Sequence, residues 1–283
     1  MTVVPPPPAP SPERHREPFP ERHLERLAWP AVQAAAKREG STVLWALGSL
    51  EQHGPHLPLQ TDALFADRLV EALIETLPAE LPLWRLPVQM IGFAPEHRGF
   101  AGSFSLAAGE LIALVRVVGE ELARCGFRRL VLMNGHGGQI GLLEVAARDL
   151  RTSVPALAVL PCFLWRGLDD GSSLIPEPER SQGLHAGLAE TSLMLHLAPE
   201  LVGPERPADG LDLRDAPPPG WSWEGGAPTA WRTGELSASG VIGDSSGATA
   251  ELGEKLFAGL VNGWDQRLRS LLSHDWPPTT FKP

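Results

Sequence analysis

Short apolar runs alternating with longer stretches of helical spacing constrain this chain more than any other feature. Thr42 to Leu47 (TVLWAL), Leu83 to Ile91 (LWRLPVQMI), Arg129 to Met133 (RLVLM) and Ala156 to Leu164 (ALAVLPCFL) have the length and aliphatic content of strands. Pro87 makes the second of these irregular or places it near an edge, because proline cannot donate to a ladder. Asp62 to Leu77 puts Leu69, Val70, Leu73 and Leu77 on one helical face. Ala107 to Cys125 reads as a long helix stopped by Gly126. Ile140 to about Arg151, Ala186 to Leu197 and Ala248 to Leu272 are also expected helices. Trp29-Pro30 fits a further one, with the proline in its first turn. This alternation predicts an α/β fold with a mostly parallel sheet covered by helices on both faces. In such sheets the binding crevice lies at the carboxyl ends of the strands, so residues with chemistry should cluster just after them.

A chain of 283 residues buries a sizeable core, and 43% apolar content is ordinary for a globular protein. The formal net charge of -10 disfavours a nucleic-acid partner and an anionic membrane surface. No apolar run approaches bilayer length, and the N-terminus lacks the apolar segment of a secretory signal, so a cytoplasmic location is expected. Cys125 and Cys162 form no disulfide framework or thiolate zinc motif and are expected in the core. Residues 1–22 are proline-rich without a repeating apolar face and read as a disordered arm, with His15 and the neighbouring His23 solvated. The globular domain is expected over residues 23–275, followed by a tail over 276–283. Trp165 to Leu184 and Gly203 to Gly240 lose the alternation and have the length of lids, substrate loops or subunit contacts.

The first strand runs directly into Gly48-Ser49-Leu50-Glu51-Gln52-His53-Gly54-Pro55-His56-Leu57-Pro58. Glu51 and His53 flank one residue, so in an extended segment their side chains leave the same face. A carboxylate and an imidazole together at a strand end suit a metal ion. Asp62 follows at a helix start, where it is either a further ligand or an N-cap. The third strand ends in Asn134-Gly135-His136-Gly137-Gly138-Gln139, whose glycines allow a sharp turn and close approach to a ligand. His136 is therefore expected in the same crevice, as a ligand or as a hydrogen-bonded turn histidine. A third patch, His185-Ala186-Gly187-Leu188-Ala189-Glu190-Thr191-Ser192, carries Glu190 among apolar neighbours. A buried carboxylate there needs a metal or an arginine. His196 reads as packed within the same helix. His97, beside Glu96, either reaches the pocket or is an exposed loop residue. Carboxylates and imidazoles without thiolates suit Zn, Mn or Fe(II), and an aspartate bridge allows two ions. Two such ions hold a bridging hydroxide at neutral pH and polarise a carbonyl, the apparatus of amide hydrolysis.

The stretch from Leu47 to Asp62 (LGSLEQHGPHLPLQTD) resembles the signature of the creatininase (creatinine amidohydrolase) family. Asn134-Gly135-His136-Gly137-Gly138, His185 to Ser192, and Gly99-Phe100-Ala101-Gly102-Ser103 resemble its further motifs. The resemblance spans about Leu24 to Leu272 and implies a three-layer α/β/α domain, often hexameric, with two divalent metals. It implies that Glu51 and His136 hold one ion, His53 the other, and Asp62 bridges them. It also makes His185 the catalytic histidine, a proton shuttle to the leaving nitrogen. Creatininase proper carries Tyr then Glu after the histidine, the Glu being a metal ligand. Here Gly137 and Gly138 stand there, and the chain has no tyrosine. Glu190 is the candidate to complete the second ion, with a catalytic role also open to it, and creatinine is not the expected substrate. The Gly-Gly form is similar to other branches of the family, including the mycofactocin-system peptidase, formamide deformylases and a cyclic-sugar hydrolase. Gly240 to Asp244 with Ala248 to Ala250 resembles the mycofactocin branch, whereas the Trp-rich insertion from Pro217 to Trp231 does not.

The expected function is metal-dependent hydrolysis of an amide, formamide or cyclic-amide C–N bond in a small molecule, with His97, Gly137 and Trp165 as substrate contacts. The alternatives are a peptidase acting on a short peptide and a non-catalytic metal-containing oligomer. A homo-oligomer is expected in each case.

Overall fold

Every residue of β1 (Thr42–Leu47) is buried, and the strand lies inside a four-stranded sheet. The structure is a computed structural model that describes residues 21–168, 174–211 and 216–277. The other strands are β2 (Leu83–Gln89), β3 (Arg129–Asn134) and β4 (Ala158–Phe163), in the order β2-β1-β3-β4, all pairs parallel. β2 is the edge strand that Pro87 predicted, and its register against β1 breaks beside that proline, between Trp45 and Leu47. β4 forms the other edge and also contains a proline, Pro161, which is exposed.

Alternation along β1 divides the core into two. Leu44 and Ala46 face one layer, packed against α2 (Thr61–Thr76), α6 (Leu188–Leu197) and the long α8 (Ala250–Leu272). Val43, Trp45 and Leu47 face the opposite layer, packed against α1 (Trp29–Ala36), α3 (Ala108–Cys125) and α4 (Ile140–Ser153). A strand with both faces covered must be apolar through its middle, which is why Val43 to Leu47 and Leu130 to Met133 read as unbroken apolar runs. The short helices α5 (Glu179–Gln182) and α7 (Thr233–Leu236) lie in the two long loops. There β5 (Ala208–Asp209) pairs antiparallel with β6 (Gly243–Asp244). No described helix is long and apolar enough to cross a membrane.

Several expectations outside the strands need correction. Cys125 is exposed at the end of α3 and so is not a core residue, whereas Cys162, half-buried on edge strand β4, packs against the core. His196 lies on the solvent side of α6, its ring centroid 5.8 Å from that of Phe257. His23 is buried, with ring nitrogens 2.9 Å from Glu21 and from Glu71, because two carboxylates offset its desolvation. Beside it Arg22 donates to the carbonyls of Ile74 and Leu77, each at 3.0 Å, at the end of α2. Docked chain therefore begins before residue 23. His15 and residues 1–20 of the proline-rich arm lie outside the described residues. At the far end Arg129, fully buried, donates to the carbonyls of His274 and Trp276, which ties residues 274–276 beneath the sheet.

Candidate metal centre

The carboxyl ends of β1, β2 and β3 deliver the chemistry to one place. Beyond β1 come Glu51 and His53, both fully buried. His53 Nδ1 donates to the carbonyl of Glu51 at 3.2 Å, which leaves Nε2 facing Asp62 Oδ1 at 3.2 Å. Asp62 is the second residue of α2 and caps nothing; Gln60 occupies the N-cap position. Its other oxygen, Oδ2, receives the Ser49 hydroxyl at 2.6 Å and lies 3.0 Å from His136 Nδ1.

His136 stands in the turn after β3. Asn134 braces this turn: its Oδ1 accepts from the His136 amide at 2.9 Å and its Nδ2 donates to the His136 carbonyl at 2.8 Å. The turn passes so close to α2 that a Cβ on residue 135 would meet the Asp62 carbonyl at 2.6 Å. His136 Nε2 donates to the Phe93 carbonyl at 3.1 Å and lies 3.3 Å from Glu96. Its Nδ1 therefore faces Glu51 and Asp62. Both histidines thus commit one ring nitrogen to a backbone carbonyl and turn the other on the same carboxylates, the arrangement that orients imidazoles for a metal.

The third patch arrives on α6. Glu190 accepts the Ala186 amide at 2.6 Å, and Ala186 itself adopts a left-handed conformation (φ 55°) although it is not glycine. Such backbone strain persists where surrounding contacts over-determine it; here Thr191 Oγ1 donates to the Ala186 carbonyl at 3.2 Å. His185 pairs with Ile242 through two backbone hydrogen bonds, and its Nδ1 lies 3.8 Å from Glu51 Oε1.

Potential ligand atoms converge in three groups: Glu51 with Asp62 and His136, His53 with Asp62 and Glu190, and Glu51 with His53 and His185. Both carboxylate oxygens of Glu51 are buried without a hydrogen-bond partner. Only imidazole nitrogens stand near them, His97 Nε2 and His136 Nδ1 at 3.3 Å, and a carboxylate so buried is strongly penalised unless a cation meets it. This donor set of carboxylates and imidazoles therefore fits divalent cations.

Without a cation, protons substitute. Burial opposes charge on His53, but Asp62, Glu190 and Glu51 outweigh it and push its pKa up to about 9. Burial likewise opposes charge on His136, yet Glu51 and Asp62 hold it well above the usual histidine range. Asp62 is desolvated, and His53 and His136 still hold it well below the carboxylate range. Burial raises Glu190 to about 7, against the pull of His53. His185 is driven well down by burial and by His53 and His97.

Glu51, Asp62, His136, His185 and Glu190 border a small pocket, also lined by Glu96, His97, Gly137, Gly138, Leu184, Glu224 and Trp231. All six residues expected to carry the chemistry, Glu51, His53, Asp62, His136, His185 and Glu190, come together here. His97 and Gly137 line the pocket. Trp165 does not: its ring packs on Phe65 at 5.3 Å and borders a separate apolar cavity behind Asp62 and Glu190. Sequence reasoning missed Glu96, Gln52, Glu224 and Trp231 as parts of the site. Glu96 and Gln52 sit beside residues already singled out, whereas Glu224 and Trp231 belong to an insertion whose sequence carries no signal for where it folds.

A parallel sheet bearing a buried carboxylate–imidazole cluster at its carboxyl edge defines an α/β domain with a candidate metal site. The sequence profile described as creatininase, creatinine amidohydrolase, matches residues 25–268. The chain belongs to the creatininase family. It is 36% identical over 235 residues to the mycofactocin precursor peptide peptidase of Mycobacterium tuberculosis, covering 80% of this chain and 84% of that protein. It is 28% identical over 267 residues to the creatinine amidohydrolase of Pseudomonas putida, covering 89% and 96%. Among solved structures, a manganese creatininase superposes with a TM-score of 0.69 at 25% identity, covering 91% of this chain and 100% of that one.

Proposed function

We propose that this chain is a two-metal amidohydrolase. The observation that carries this reading is the position of Asp62 between two ligand groups, one with Glu51 and His136 and one with His53 and Glu190. Two divalent cations, Zn, Mn or Fe(II), would supply Lewis acidity and lower the pKa of a water nucleophile there. Glu51 and His136 would hold one, His53 and Glu190 the other, and Asp62 would serve both.

The chain's own residues do the rest. His185, with Nδ1 turned toward Glu51, carries the proton that reaches the leaving nitrogen. His97 and Gly137 line the space a substrate would occupy, together with Glu224 and Trp231. The substrate we favour is an amide near the end of a short peptide, because a relative named a peptide peptidase shares 36% of its residues over most of both chains. A formamide or cyclic amide in a small molecule is the second reading, favoured by the similarity to a creatinine amidohydrolase. A homo-oligomer is part of the same proposal.

Metal analysis of protein purified without chelator, followed by hydrolysis assays on metal-loaded protein with short peptides, formamides, cyclic amides and lactones, tests this. Fewer than about one ion per chain, with no activity gained on adding Mn or Zn, overturns the two-metal reading. Turnover of cyclic amides alone replaces the peptide by the small molecule.

A further inference from the structure

Gln52, between two candidate ligands, touches two histidines at once. Its side-chain amide orientation is settled by backbone partners of opposite kind. Gly54 N–H, which can only donate, lies 2.9 Å from Oε1, and the Gly240 carbonyl, which can only accept, lies 3.1 Å from Nε2. The Nε2 amide is therefore a donor, and it lies 3.0 Å from His97 Nδ1. Nδ1 must accept, so the ring carries its proton on Nε2. A doubly protonated His97 would set two donors against each other. The Thr233 hydroxyl, 2.7 Å from the same Nδ1, can donate or accept and so leaves the choice of tautomer to Gln52.

The main-chain carbonyl of Gln52 acts on the other ring. It accepts from His185 Nε2 at 2.7 Å, which in the neutral imidazole leaves the lone pair on Nδ1. The two rings lie with centroids 4.2 Å apart. His97 directs Nε2 at Glu51, 3.3 Å away, whereas His185 directs Nδ1 at the same carboxylate. From adjacent positions, one ring offers the site an N–H and the other a bare nitrogen.

We propose that Gln52 is a positioning residue that fixes His97 as a hydrogen-bond donor and His185 as a proton acceptor at the metal centre. This rests on the amidohydrolase reading and assigns its acid–base parts. Amide hydrolysis needs one group of each kind. As the C–O bond forms, the attacking water gives up a proton, which His185 accepts and passes to the nitrogen as the C–N bond breaks. His97 transfers no proton; its N–H stabilises the negative charge that develops on the carbonyl oxygen.

The test is nitrogen NMR of the histidine side chains in zinc-loaded protein, which distinguishes Nδ1–H from Nε2–H without any substrate. His97 and His185 are both expected as Nε2–H. Gln52→Leu should release His97 to a mixture of tautomers while His185, held by a main-chain carbonyl, is unchanged. Zinc content should stay at the wild-type value, and kcat should fall roughly tenfold or more with little change in KM. Thr233→Val, which keeps Gln52, should leave His97 as Nε2–H. If Gln52→Leu does not fold, the wild-type and Thr233→Val spectra still decide the assignment. Nδ1–H or imidazolium at His97, a zinc-bound Nδ1 on His185, or a flip caused by Thr233→Val overturns the proposal. So does an unaltered His97 in folded Gln52→Leu. Failure of the amidohydrolase reading would show instead as missing metal.

Discussion

A Cβ on residue 138 would fall inside the Glu96 carboxylate, so Glu96 and Gly138 share one position beside His136. Creatininase resemblance calls for a glutamate at residue 138; here a carboxylate reaches that neighbourhood from the loop after β2 instead. The same Cβ would also stand 2.7 Å from His136 Nε2. Gly138→Ala should therefore push Glu96 and His136 out of place and weaken metal binding by roughly 10- to 100-fold, measured by competition with a chelator. In a Glu96→Ala background the same substitution should add little, since its obstacle is gone. Fully additive losses would show that the two residues do not compete for space.

Asp62→Ala should remove metal more completely than His185→Ala. Asp62 faces His53 at 3.2 Å and His136 at 3.0 Å, whereas His185 Nδ1 stands off at 3.8 Å from Glu51. Atomic emission on the purified variants should find less than about one ion per chain in the first and near wild-type content in the second. Earlier metal loss from His185→Ala would make His185 a ligand rather than a proton carrier.

Metal affinity should rise with pH up to about 9. His53 is raised to about 9 in the cation-free site, so at pH 7 it holds a proton that a cation must displace. Each displaced proton, from His53 and from the likewise raised His136, makes the apparent affinity climb about tenfold per pH unit below that group's own pKa. Titration calorimetry in buffers of different ionisation enthalpy reads the released proton directly. No proton release at pH 7 would contradict the raised His53.

His56 should make the fold acid-sensitive. It is buried beside Arg206, and burial with that charge pulls its pKa down to about 4 from the ordinary 6.5. The unfolded chain then binds its proton first, so stability falls as pH drops from 6.5 towards 4, by roughly 3 kcal/mol at most. His56→Gln should flatten that part of a denaturation series across pH. An unchanged slope would place the acid sensitivity elsewhere.

Arg129→Ala should cost about 3 kcal/mol or more. Its guanidinium serves the carbonyls of Gly40, His274 and Trp276 from a fully buried position. Truncation leaves the His274 and Trp276 carbonyls without this donor, while the Gly40 carbonyl keeps the Thr42 hydroxyl at 2.7 Å, and it loosens the segment after α8. Denaturant unfolding should show the loss; proteolysis near residue 274 should show the release.

The strands and the long helices were legible because each element announces itself locally. The unbroken apolar run of β1 follows from two covered faces, and Pro87 marked its strand as an edge. Glu51, His53 and His136 were legible for a related reason: residues just past parallel strands converge on one edge of the sheet. Burial of individual side chains was less accessible. Cys125 and His196 turned out exposed and His23 buried, since each depends on which neighbour packs over it.

The sequence by itself determined the fold class, the family and the six residues that meet at the centre, because periodicity and motif spacing are properties of the chain alone. Only the tertiary structure decided what surrounds them. It brought Glu96 to the space that Gly138 leaves, Glu224 and Trp231 to the pocket, Trp165 away from it, and Gln52 between His97 and His185. Those relationships join segments far apart in the chain, and their hydrogen-bond directions exist only once donors and acceptors are fixed in space.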